Sequence, residues 1–340
     1  MAIRKILSID GGGIRGIIPA SVLVEIETRL KQANPPKTLG QAFDLIAGTS
    51  TGGIIACGLA RPGAPLTAGD LLDLYLKRGH EIFHRSLWKV VSSVGGVADE
   101  KYPAEPLEQV LLQLLQDTKL SAVTGPKLLV TSYAIGLPPV AKTAAVPDST
   151  RAPFFFKSWN VDDPTQPLSP LWDYRLRDVA RATSAAPTYF PPALITSMAG
   201  EQAALIDGGV VANNPAMCAL AEAQRLWPGD QYLVVSIGTG QLERDIPYRD
   251  AKDWGLIEWA RPILSVLMDG SCDTVDYELK RILGATYYRF DISLGTAGDP
   301  TAAYDDMDLT TPENLALLQG RAAKLIQDRA ADLATLVPLL

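Results

Sequence analysis

Short apolar runs and glycine-rich breaks alternate along this chain, and the first two pairs share one plan. Residues 3–9 form a β-rich run that ends in Asp10-Gly11-Gly12-Gly13-Ile14-Arg15-Gly16. Beyond it Val22, Ile26 and Leu30 recur at helical spacing, with Glu25, Arg29 and Lys31 off the stripe. Asn34-Pro35-Pro36 breaks the chain. Residues 43–47 then read as a buried strand, Gly48-Thr49-Ser50-Thr51-Gly52 as a turn, and 53–60 as a helix of small residues. Each glycine turn therefore leaves a strand and opens a helix. If the two strands are parallel neighbours, both turns lie at one sheet edge, where ligands bind in such folds.

The alternation continues. Helices are expected at 69–83, 105–115, 176–186, 216–226, 256–268, 271–283 and through most of 312–339, and strands at 127–135, 154–159, 203–206, 232–237 and 286–292. The strand at 203–206 delivers Asp207-Gly208-Gly209, and the one at 232–237 ends in Gly238-Thr239-Gly240. Residues 138–148 are polar and irregular. Residues 86–102 carry Leu87, Trp88, Val90 and Val91 without a period, which suits a surface loop or a flap with an apolar face. Strands alternating with helices predict an α/β fold, a three-layer sandwich with a largely parallel central sheet. No repeat or linker divides the chain. A single domain over 1–340 is expected, with the motifs in about 3–240 and a helical part at about 255–340.

Composition narrows the function classes. At 340 residues, 47% hydrophobic and 20% charged, the chain can bury a large core and is not disordered. A net charge of −7 argues against nucleic acid as a partner, while leaving contact with a membrane surface open. Cys57, Cys218 and Cys272 lack metal-ligand spacing and read as reduced packing residues. No Cys/His cluster can build a zinc site. No apolar run reaches the ~20 residues of a membrane span. The first residues enter a strand at once, which leaves no room for a signal peptide, so a cytoplasmic location is expected.

Three chemistries compete for the glycine turns. Gly11-x-Gly13-x-x-Gly16 fits a dinucleotide fingerprint by letter, yet no acidic residue closes the second strand to hold a ribose. A P-loop lacks its Gly-Lys-Ser/Thr. Gly48-x-Ser50-x-Gly52 has the strand–turn–helix setting of a nucleophile elbow. The chain has only two histidines, His80 and His84, and none follows them, whereas an α/β-hydrolase places its histidine late. A catalytic Ser50 would then need a base other than histidine. Asp207 ends an apolar strand before two glycines and suits that role, although it also suits a turn. Asp10 competes with it.

Taken together, Asp10 to Gly16, Gly48 to Gly52 and Asp207 to Gly209 resemble the patatin-like phospholipases, the plant patatins and their bacterial relatives. Ile17-Ile18-Pro19-Ala20, Ala182-Thr183-Ser184-Ala185-Ala186-Pro187, Tyr189-Phe190-Pro191-Pro192 and Asn213-Asn214-Pro215 extend the likeness over about residues 3–240. The resemblance implies a lipid acyl hydrolase with a Ser50–Asp207 dyad, an acyl-enzyme, and neither metal nor other cofactor. It implies an oxyanion hole from Gly11, Gly12 and Gly13, supported by Gly48, Gly52, Gly208 and Gly209. Arg15 would either meet a lipid phosphate or hold its own loop. The implied partner is a phospholipid or other acyl lipid, met by peripheral membrane contact, for which 86–97 is the candidate flap. An acyltransferase, or a lipid-binding or storage protein, is the alternative.

Overall fold

The computed structural model describes residues 1–83, 102–137, 151–243, 245–259, 262–296, 299 and 302–340. The expected flap at 86–97, His84 and the irregular stretch at 138–148 lie outside the described residues. The strands are β1 Ile3–Ile9, β2 Leu45–Gly48, β3 Lys127–Gly136, β4 Ala152–Lys157, β5 Ala193–Thr196, β6 Gln202–Asp207, β7 Gln231–Ile237, β8 Gln241–Glu243, β9 Tyr287–Phe290 and β10 Ser293–Thr296. The longer helices are α1 Ile17–Gln32, α2 Thr51–Leu59, α3 Ala68–Ile82, α4 Glu105–Leu115, α5 Leu176–Thr183, α6 Ala216–Leu226, α7 Pro262–Leu283, α8 Pro312–Asp328 and α9 Ala330–Leu336.

Five strands in the order β3-β2-β1-β7-β9 run parallel, and β4, β6 and β5 add antiparallel pairings on the β3 side. Ile6 to Ile9 and all of β2 are buried on both faces, as parallel strands covered by two helical layers must be. Alternate side chains sort into the two layers. Leu7, Ile9, Ile46, Val130, Val235 and Phe290 join the cluster built with α1 to α5, α8 and α9. Ile6, Leu45, Ala47, Leu129 and Val234 face Ala216, Ala219, Leu220 and Ala223 of α6 and Leu279 of α7. The expected three-layer sandwich is therefore present. Val22, Ile26 and Leu30, the stripe read on α1, are fully or almost fully buried.

The register around β3 positions the site. Along one edge of β3, Lys127–Val130 pairs with β2 in parallel, and Ser132–Gly136 pairs with β6 antiparallel. Strand β4 occupies the other edge. Gly48, the last residue of β2, is level with Val130, and Asp207, the last of β6, is level with Ser132. Thus β2 and β6 point at each other, C-terminus to C-terminus, along the same neighbour. The ends of β1 and β7 are level with them, since Ile9 pairs with both Gly48 and Ile237. All the glycine turns converge on this edge.

Some expectations need correction. The two helices read at 256–268 and 271–283 are a short turn at Leu256–Trp259 and one continuous helix, α7. Gly270 and Ser271 do not break it, because helix geometry tolerates an interior glycine at modest cost. Strand β5 and the β8–β10 pair were not expected; each is three or four residues long, too short for a period to show. All three cysteines are free, with Cys57 and Cys272 buried. Among the described residues no helix is long and apolar enough to cross a membrane.

Candidate active site

Ser50 sits between β2 and α2 with φ 54° and ψ −123°, a conformation a residue with a side chain adopts only under constraint. The constraint is visible. Its N–H donates to Thr183 Oγ1 at 2.8 Å, and its carbonyl accepts from Ile54 N at 3.1 Å. Thr49 Oγ1 beside it donates to the Ala212 carbonyl at 2.7 Å. The flanking glycines are required by space. A Cβ at Gly52 would stand 2.1 Å from the Ile9 carbonyl oxygen, and one at Gly48 would stand 2.1 Å from that of Gly52. The sharp turn thus packs α2 directly on the ends of β1 and β2.

Asp207 reaches the same point from β6. Ser50 Oγ donates to Asp207 Oδ2 at 2.7 Å, and Gly209 N–H donates to Oδ1 at 2.7 Å. Gly208 lies against Thr131 with no room for a side chain. Asp207 is 3% exposed and Ser50 8%. Burial pushes the Asp207 carboxyl up to about 7, and the Gly209 and Ser50 hydrogen bonds offset part of the rise. His80 is exposed on the last turn of α3. Asp10, the competing carboxylate, is buried but paired with Arg289 at 2.7 Å, not with the serine.

The first glycine loop lies against the serine. A Cβ built on Gly11 would come 3.1 Å from Ser50 Cβ. The Gly11 N–H, expected as an oxyanion donor, goes instead to the Asn213 carbonyl at 3.1 Å, because the turn after β6 folds over it. The N–H groups of Gly12 and Gly13 make no hydrogen bond among the described residues. Gly13 has φ +61°, which suits a residue without Cβ and lets Ile14 N–H reach the Met307 carbonyl at 2.8 Å. Arg15 is buried and holds its loop: Nη1 donates to the Gly240 carbonyl at 2.9 Å and Nε to the Gly12 carbonyl at 3.3 Å.

A pocket opens beside Ser50 with mostly apolar walls, among them Ile54, Ile82, Phe83, Leu107, Phe190 and Met307. Tyr75 also lines it and hydrogen-bonds both the side chain and the carbonyl of Thr51. Sequence reasoning did not single out Tyr75, Thr183 as the anchor of the Ser50 N–H, or Arg289. Thr183 falls inside the Ala182 to Pro187 block and was within reach; Arg289 has no local signal. Among the described residues no group of three His, Cys, Asp or Glu side chains is placed to hold a metal ion.

This arrangement joins a hydroxyl hydrogen-bonded to a buried carboxylate of raised pKa, two backbone N–H groups without a partner among the described residues, and an apolar cleft. It is competent for acyl transfer through a serine ester. A family model described as patatin-like phospholipase matches residues 7–220. Patatin-like protein 2 of Arabidopsis thaliana is 32% identical, over 96% of this chain and 83% of its own length. Probable inactive patatin-3-Kuras 1 of Solanum tuberosum is 30% identical, over 82% of this chain and 75% of its own. Among solved structures, human GIVD cytosolic phospholipase A2 aligns at 10% identity with a TM-score of 0.44, over 100% of this chain and 61% of that one.

Proposed function

This chain belongs to the patatin-like phospholipase family, and on that premise we propose that it hydrolyses lipid acyl esters, phospholipids among them, through Ser50, Asp207 and a covalent acyl-enzyme. The observation that carries the reading is the 2.7 Å hydrogen bond from Ser50 Oγ to the buried Asp207 carboxylate.

Asp207 Oδ2 takes the Ser50 proton as Oγ attacks the ester carbonyl. The oxygen that becomes negative lies toward the N–H groups of Gly12 and Gly13, donors of a kind worth about 3–4 kcal/mol each to a developing oxyanion. Collapse of the tetrahedral intermediate expels the alcohol, which takes its proton from Asp207. Water then gives a proton to Asp207 and attacks the acyl-serine, and Ser50 recovers its proton as the fatty acid leaves. The apolar pocket beside Ser50 suits the acyl chain. Contact with a lipid surface belongs to the same proposal, since acyl chains of the substrate reside there.

The test is fatty-acid release from mixed phospholipid vesicles in EDTA, with the native chain and Ser50→Ala compared. Release by the native chain alone is expected, together with labelling of Ser50 by a fluorophosphonate. A native chain that neither releases fatty acid nor takes the label would overturn the reading.

A further inference from the structure

Arg289 stands on β9, beyond the residues that the family model matches, and 279 positions from the carboxylate it holds. Its side chain is 10% exposed, and its guanidinium serves three acceptors on three strands or strand ends. Nη2 donates to Asp10 Oδ2 at 2.7 Å and to Asp291 Oδ2 at 2.6 Å, and Nη1 donates to Ser236 Oγ at 2.8 Å.

Both carboxylates lead to the glycine loop. Asp10 is the residue immediately before Gly11. Asp291 Oδ1 accepts the Gly240 N–H at 3.0 Å, the Gly240 carbonyl accepts from Arg15 Nη1 at 2.9 Å, and Arg15 Nε reaches the Gly12 carbonyl at 3.3 Å. Arg289 therefore grips the loop twice, at its entry and at the peptide that carries the Gly13 N–H. A buried ion pair is weak as a source of stability, since apolar packing often does as well. Its planar fork of donors fixes direction instead.

The geometry points to Arg289 as a positioning residue for the oxyanion donors, aligning the Gly12 and Gly13 N–H groups with the ester oxygen through Asp10 and Asp291. This rests on the Ser50–Asp207 reading above.

Arg289→Lys keeps the charge, but one ammonium cannot serve Asp10, Asp291 and Ser236 in the same geometry. On a soluble nitrophenyl ester, kcat is expected to fall about 10- to 100-fold with KM within about threefold, at a temperature where circular dichroism shows native folding. Arg289→Ala adds a second readout. Arg289 lines a polar, solvent-connected pocket of about 280 Å³ that also touches Cys272, Tyr287 and Asp291. Methylguanidinium at millimolar concentration has access to the space vacated and is expected to restore kcat about tenfold, whereas urea does not. If Arg289→Ala fails to fold, Asp291→Asn replaces it, with a smaller loss of kcat of the same kind.

Folded variants with native kcat would overturn the inference and leave the dyad standing. So would a lowered melting temperature with unchanged kcat and no response to methylguanidinium, which marks a structural residue only. A native chain without turnover or fluorophosphonate labelling would overturn the dyad and this inference together.

Discussion

At 3% exposure the Asp207 carboxylate gives up nearly all of its hydration, and the Gly209 N–H and Ser50 O–H replace only part of it. The resulting rise from 3.8 to about 7 has two consequences of opposite sign. Proton acceptance needs the ionised form, so turnover is expected to climb with pH through about 7 and then level off, which a pH–rate profile on a soluble ester will show. Stability runs the other way. The unfolded chain ionises this group near 3.8, while the folded chain holds its proton to about 7, so the contribution is whole at low pH and is lost as pH rises between them. Asp207→Asn is expected to cut turnover by about 10²–10⁴-fold. It should also melt higher than the native chain, by a larger margin at pH 8 than at pH 5. An equal margin at both would mean that Asp207 is not the shifted group.

At the scale of elements, two glycines make opposite predictions. Gly52 brings α2 onto β1 so closely that a Cβ would stand 2.1 Å from a backbone oxygen. Gly52→Ala is expected to cost at least about 1–3 kcal/mol, read as a lower denaturant midpoint. Gly270 lies exposed inside α7 with nothing near its Cβ position, and Gly270→Ala is expected to stabilise by about 1 kcal/mol. The same contrast shows what the sequence disclosed. Glycines at strand ends flagged Ser50 and Asp207, because a tight turn leaves a local mark in the letters. Gly270 gave the same mark for a break that α7 does not have. Strands as short as β5 and β8 show no period, and their existence depends on neighbours far along the chain. Arg289 could not be found at all, since the pairing that gives it meaning is made by the β1-β7-β9 order and by no adjacent residue.

For the molecule as a whole, the part beyond the family match is woven into the rest. Strand β9 pairs with β7, and Leu318, Ala322 and Leu325 of α8 share one core with Ile26 and Leu30 of α1. We therefore expect a chain cut after residue 220 to expose the apolar face of α1, to lack both β7 and β9, and to appear in the insoluble fraction on expression. A soluble, cooperatively melting fragment would instead make the remainder a separable unit. The head-on meeting of β2 and β6 has a further consequence for the order of events during synthesis. Ser50 leaves the ribosome 157 residues ahead of Asp207, and Arg289 emerges 279 residues after Asp10. Contacts of such long separation carry a loop-closure cost and slow the folding of the chains that depend on them. A growing chain thus carries Ser50 through a long stretch of translation before the carboxylate that meets it exists, so on the proposed reading the serine stays idle until β6 has been made and has paired with β3.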